Sequence, residues 1–247
     1  MDTDGEYGKA AGIIPARYAS QRFPGKPLSL IDGKPMVQHV YERACQAQLL
    51  DTVIIATDDR RILRASENFG AEVRLTSSSH NSGTERVAEV AAGLEESIIV
   101  NIQGDEPLIR GDMIDALVSG LQRDTAPMAT LACRDRDLLD IKSPGIVKIA
   151  VSNSGYALYF SRSPLPYGAE NYFWRHIGVY AFQRNFLLEF AGMKPTRLER
   201  MENLEQLRAL ENSVPIKVIE TDYLPVSVDY PEDISKVEQI IKKGTHD

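Results

Sequence analysis

Short, continuously apolar runs alternate with amphipathic stretches along the first half of the chain. Ala11 to Pro15, Thr52 to Thr57, Ala71 to Thr76, Ser97 to Gln103 and Met128 to Cys133 read as strands. Between them, Met36 to Ala47, Arg60 to Phe69, Glu85 to Leu94 and Met113 to Gln122 place apolar residues at helical spacing. Strand then helix, repeated, with strands that are apolar rather than alternating, predicts a mostly parallel sheet covered on both faces. After Pro144 the rhythm changes. Ile146 to Val151 and Tyr156 to Ser161 flank Asn153-Ser154-Gly155, a hairpin-like turn signal. His176 to Phe182 reads as a further strand, Leu198 to Glu211 as a helix, Ile216 to Glu220 as a strand and Glu232 to Lys243 as a closing helix. The simplest reading is one α/β domain over residues 1–247, its mostly parallel central sheet interrupted by a smaller β-rich insertion at about residues 145–200.

Composition changes this picture little. The hydrophobic fraction is 43% and the charged fraction 26%, ordinary for a chain that buries a core. No apolar run approaches the roughly 20 residues that span a bilayer. The start, MDTDGEYGKAAG, lacks a basic region followed by an apolar one, so it is expected to be a leader outside the fold and not a secretory signal. Cys45 and Cys133 stand far apart and outside any metal-binding spacing, which suits reduced thiols and a cytoplasmic location. The net charge of −7, without a basic run, argues against a nucleic-acid partner. An anionic ligand would therefore be met by a few local cations, backbone N–H groups and a metal.

Three segments carry candidate chemistry. The loop after the first strand, PARYASQRFPGKPL, gathers Arg17, Arg22 and Lys26, with Gly25 permitting close backbone approach. In an open parallel sheet, the loop at that end of the first strand faces the ligand crevice. Three cations in ten residues of an acidic chain suit a triphosphate, although a solvated basic loop is the bland alternative. Neither the P-loop spacing nor the dinucleotide fingerprint is present, which disfavours an NAD-dependent dehydrogenase. Asn101-Ile102-Gln103-Gly104-Asp105-Glu106-Pro107 follows a fully apolar strand, so Asp105 suits a Mg2+ ligand or, more plainly, a turn cap. Asp229, in VSVDYPED, either caps the last helix or meets Asp105, and two such carboxylates would repel without a cation between them. Ser82 and Thr84 stand where a helix opens. Glu202 and Gln206 are spaced to share one helix face, and His176 reads more simply as a core or edge histidine.

Together PARYASQRFPGKPL, ATDD, SGTERVAEV, NIQGDEPLI, GYALYFSRSPLPY, RHIGVYAF, LEQLRAL and VDYPED resemble the 3-deoxy-manno-octulosonate cytidylyltransferase (CMP-Kdo synthetase) family, from about Ile13 to Ile241. The resemblance implies a Rossmann-like nucleotidyltransferase fold, with a smaller sheet-bearing part that forms a homodimer contact and helps close the sugar site. It implies a cytoplasmic enzyme of lipopolysaccharide biosynthesis that takes CTP and Kdo as substrates, with no membrane partner. Arg17 and Lys26 match the triphosphate-binding positions, Ser82 and Arg86 a segment near the nucleotide, and Asp105 and Asp229 the Mg2+ ligands, with two ions during turnover. Lys26, Arg17 and Asp105 are the implied catalytic residues. Gln103, Arg162, His176, Glu202 and Gln206 match the region that receives the sugar acid. Tyr230 departs from the small hydroxyl residue usual after the acidic ligand, and Gly145 from a common asparagine. The implied reaction is in-line attack of the anomeric hydroxyl of Kdo on the α-phosphorus of CTP. An enzyme for 8-amino-Kdo or another ulosonic acid is the nearest alternative. A silent nucleotide-binding module would have no use for two metal carboxylates.

Overall fold

The structure, a computed structural model, describes residues 8–19, 23–224 and 226–244. Most of the expected leader, and Arg22 of the basic loop, lie outside the described residues. In chain order the elements are β1 (Ala10–Ala16), β2 (Leu30–Ile31), β3 (Lys34–Pro35), α1 (Met36–Ala44), β4 (Thr52–Thr57), α2 (Arg60–Asn68), β5 (Glu72–Leu75), α3 (Gly83–Ala91), β6 (Ile98–Asn101) and α4 (Gly111–Gln122). They continue with β7 (Met128–Asp135), β8 (Lys148–Val151), β9 (Ala157–Ser161), β10 (Phe173–Gln183), α5 (Arg184–Gly192), α6 (Arg197–Glu202), α7 (Leu207–Glu211), β11 (Ile216–Thr221) and α8 (Asp233–Lys243). The chain divides into two compact units, residues 1–115 with 225–247 and residues 116–224, so the second is wider than the expected insertion.

In the first unit β6, β1, β4 and β5 lie side by side, all parallel, with Ile13 opposite both Ile54 and Asn101. β1, β4 and β6 are apolar along their centres because they are buried, with Ile13, Ile14, Ile54, Ile55, Ile99 and Val100 wholly out of solvent. α1 and α3 pack on β1 and β4, and α2 on β4 and β5. The parallel order sends the chain out of β1 and β6 at the same edge of the sheet, where the candidate loops lie.

In the second unit β7 pairs in parallel with β11 and antiparallel with β10, whose register shifts between Ile177 and Tyr180. β8 pairs with β9 across a turn containing Gly155, at φ 78°. Phe160, Phe173, Phe182 and Phe190 fill its core. The predicted single helix over Leu198 to Glu211 is two helices. Asn203 adopts φ 54°, a left-handed conformation that asparagine tolerates, and ends α6 with its N–H on the Glu199 carbonyl. Glu202 and Gln206 therefore do not share a helix face: Glu202 closes α6, and Gln206 is the residue before α7. The β2–β3 ladder and α5 were not anticipated; the first is too short to show periodicity, and the second follows β10 without a break.

Candidate active site

In the first unit, three distant stretches of chain meet at one side chain. Lys26 begins a short 3-10 turn that follows Gly25 at φ 75°. Its Nζ donates to Asp105 Oδ2 at 2.7 Å and to the Val228 carbonyl at 2.9 Å. The Val228 N–H in turn donates to the Asp105 carbonyl at 3.0 Å, so residue 229 stands beside the turn that carries Asp105. That turn passes so close to β1 that a Cβ on Gly104 would sit 2.9 Å from the Pro15 carbonyl oxygen, which is why glycine precedes the aspartate. The Asp105 carboxylate forms an ion pair that is 32% exposed, against 13% for Lys26. Asp229 does not cap the last helix: the N-cap position is Glu232. The Asp233 carboxylate instead accepts the N–H groups of Asp229 and Tyr230, at 3.1 and 3.0 Å, fixing the backbone that presents Asp229. The Tyr230 side chain is exposed.

The start of α3 lies at the same edge of the sheet, where a Cβ on Gly83 would be 3.3 Å from the Pro15 ring. Ser82 is the helix cap, its hydroxyl accepting the Glu85 N–H at 3.1 Å, while the Glu85 carboxylate accepts the Asn81 N–H at 2.8 Å. Arg17 reaches the Asn81 carbonyl at 3.4 Å and is otherwise exposed. Arg86 is wholly buried; its guanidinium lies 3.0 Å from Asp58 and donates to the Thr76 hydroxyl. Arg86 thereby ties α3 to the loop after β4, which explains the first aspartate of ATDD. Gln103 lies 3.5 Å from Asn101, whose amide donates to Thr84.

In the second unit Arg162 and Glu202 are interlocked. The Glu202 carboxylate accepts the Ser161 hydroxyl at 2.8 Å and the Arg162 N–H at 2.9 Å. The Arg162 guanidinium donates to the carbonyls of Glu202, Pro144 and Asn203. Beneath them the fully buried Lys148 donates to the carbonyls of Ser143, Ile146 and Arg162, at 2.9, 2.7 and 2.5 Å. Burial, and then the Arg162 charge, push the Lys148 pKa down. His176 lies elsewhere in this unit, its Nε2 3.0 Å from the Thr130 hydroxyl and its ring against Phe160 and Tyr180. Burial lowers its pKa from 6.5 to about 3, so the imidazole is neutral at pH 7. Tyr180 has its pKa raised, first by burial and then by the nearby Glu205 carboxylate. Next in sequence is Gln206, 4% exposed, whose Nε2 is buried without a hydrogen-bond partner.

Residues 11–219 match the family model described as Cytidylyltransferase. The chain is 51% identical to the 3-deoxy-manno-octulosonate cytidylyltransferase of Geotalea daltonii, covering 95% of this chain and 98% of that one. It is 50% identical to the protein of the same name from Geobacter sulfurreducens, over 93% and 98%. This chain belongs to the 3-deoxy-manno-octulosonate cytidylyltransferase family. The structure of a CMP:2-keto-3-deoxy-manno-octonic acid synthetase complexed with CTP superposes on it with a TM-score of 0.91 at 39% identity, covering 96% of this chain and 99% of the other. The α/β nucleotidyltransferase fold implied by the motifs is therefore the fold of this cytidylyltransferase.

Asp58, which stands in ATDD without a role assigned from sequence, has one in the structure as the partner of buried Arg86, and a carboxylate at the end of an apolar strand is the part of the Asp105 signal that it shares. Tyr180 and Glu205 carry no sequence signal that sets them apart from other strand aromatics and helix charges. Since the unfolded chain binds a proton at His176 near pH 6.5 and the folded chain only near pH 3, its contribution is complete above pH 6.5 and is lost as pH falls toward 3. Denaturation curves should therefore show wild type losing about 1–2 kcal/mol more than His176→Phe between pH 7 and pH 5. Parallel losses in the two proteins would contradict the burial of a neutral imidazole.

Proposed function

We propose that this cytidylyltransferase transfers CMP from CTP to the anomeric hydroxyl of Kdo, releasing pyrophosphate. The observation that carries the reading is the Lys26 ammonium held between the Asp105 carboxylate and the Val228 carbonyl, at the edge where β1 and β6 end. A cation partly withdrawn from water interacts strongly with phosphate oxygens, and its present partner is a carboxylate that Mg2+ also favours. The residues fit that metal: Asp105 and Asp229 offer hard oxygen donors on adjoining backbone. Bound there, Mg2+ would neutralise phosphate charge and favour the ionised form of the attacking hydroxyl. A second ion would accompany the outer phosphates.

The protein's own groups then have distinct tasks. Lys26 exchanges the Asp105 carboxylate for a phosphate oxygen and, with Arg17, stabilises charge on the departing pyrophosphate. Ser82 shapes the start of α3, where free N–H groups meet the nucleotide, and Arg86 holds that helix in place. In the second unit Arg162, His176, Glu202 and Gln206 are read as groups that serve the sugar acid, and Gln103 in the first; the unpartnered buried amide of Gln206 supports its part, because such a donor calls for an acceptor. Nothing in the site favours a different ulosonic acid.

The protein is read as a cytoplasmic homodimer joined through its second unit. Leu158, Tyr167 and Tyr172, at 62%, 104% and 39% exposure, are large apolar or aromatic side chains left on that unit's surface. No described helix is long and apolar enough to cross a membrane. Light scattering should give a dimer mass for wild type and a monomer mass for Leu158→Glu combined with Tyr167→Glu; a monomeric wild type would refute the assembly. In a pyrophosphate-release assay with CTP, Kdo and Mg2+, Lys26→Ala should lower kcat/KM by about a hundred- to a thousandfold, and Asp105→Ala by more. Both variants remaining within threefold of wild type would overturn these roles.

A further inference from the structure

The basic loop between β1 and Lys26 is anchored by a contact that the proposed chemistry does not use. The Tyr18 carbonyl accepts the Gly25 N–H at 2.9 Å, closing the segment just before Lys26. The Tyr18 ring lies against Gly25 so closely that a Cβ there would meet Cε2, Cζ and Oη at 3.2 Å. The Arg61 guanidinium stacks on the same ring, its Cζ 3.3 Å from the ring centroid. Arg61 is not free to wander. Its Nε and a terminal nitrogen hold the two oxygens of Asp59, at 2.9 and 2.6 Å. Asp59 itself caps α2 by accepting the Arg61 N–H at 2.8 Å, and the hydrogen bonds from the Arg61 guanidinium hold its carboxyl below the usual range. A chain of contacts thus runs from a rigid helix start through Asp59, Arg61 and Tyr18 to the glycine before Lys26.

We propose that Tyr18 and Arg61 are positioning residues for the nucleotide's phosphates: the stacked pair fixes the far end of the basic loop on α2, so that Lys26 and Arg17 are presented in one arrangement before CTP arrives. The inference rests on the reading of that loop as the triphosphate holder. An exposed arginine costs side-chain entropy to immobilise, so a mere surface contact would not be expected to combine a bidentate carboxylate with a planar stack. Its effect belongs in nucleotide binding, because neither side chain is required at the reacting atoms and a pre-ordered loop lowers the ordering cost of binding.

Steady-state kinetics with CTP and Kdo varied separately test this. Arg61→Gln and Tyr18→Ala should each raise KM for CTP by about two- to fivefold, the range expected for losing one exposed cation–π contact. The KM for Kdo, kcat and the thermal midpoint should stay near wild type. Tyr18→Phe keeps the ring and should behave as wild type, and the double variant should be no worse than the poorer single one, because the two act as one unit. An unchanged KM for CTP in Arg61→Gln, or equal changes in both KM values with a lowered thermal midpoint, would overturn the proposal. Lys26→Ala run alongside separates the two levels. If it too leaves CTP kinetics intact, the reading of the loop fails; if it alone is impaired, only the positioning role fails.

Discussion

The ammonium of Lys26 is where the first unit's distant parts are brought to one place. It is the partner of the Asp105 carboxylate and of the Val228 carbonyl, while the Val228 N–H closes the triangle on the Asp105 backbone. Each segment has a separate reason to be there. Gly25 and its left-handed φ start the turn that carries Lys26, Gly104 permits the close pass over Pro15, and Asp233 fixes the backbone on either side of Asp229. The lysine neutralises the Asp105 carboxylate in this structure, and under the proposed function a nucleotide and its metal would take over that partnership.

The second unit solves a different electrostatic problem with the same economy of parts. Lys148 is completely buried, and three carbonyl oxygens replace its water. Arg162 spends its fork on further carbonyls while Glu202 takes its backbone N–H. The result is a rigid polar frame joining the segment before β8, the end of β9 and the end of α6. His176, held neutral on β10, keeps its Nε2 on the Thr130 hydroxyl.

Much of this was legible from residue order, and the reasons differ from place to place. The strands of the first unit are continuous apolar runs because both their faces are covered, which makes them easy to recognise; Thr52–Thr57 was read to the residue. Asp105 and Asp229 stood out because each ends an extended segment. The backbone bond from the Val228 N–H to the Asp105 carbonyl, which brings their two segments side by side, carries no side-chain signature. The helix break at Asn203 escaped because the apolar spacing on either side continues a helical period, and one residue's φ decides otherwise. Arg86, matched to a segment near the nucleotide, is wholly buried against Asp58, and its depth is something that sequence does not write, whereas its charge is.

The most direct test of the account is a crystal structure of the protein with CTP and Mg2+. One ion should lie within coordination distance of both the Asp105 and the Asp229 carboxylates, with Lys26 moved from Asp105 onto a phosphate oxygen. An ion held by the nucleotide alone, with Lys26 still paired to Asp105, would contradict it.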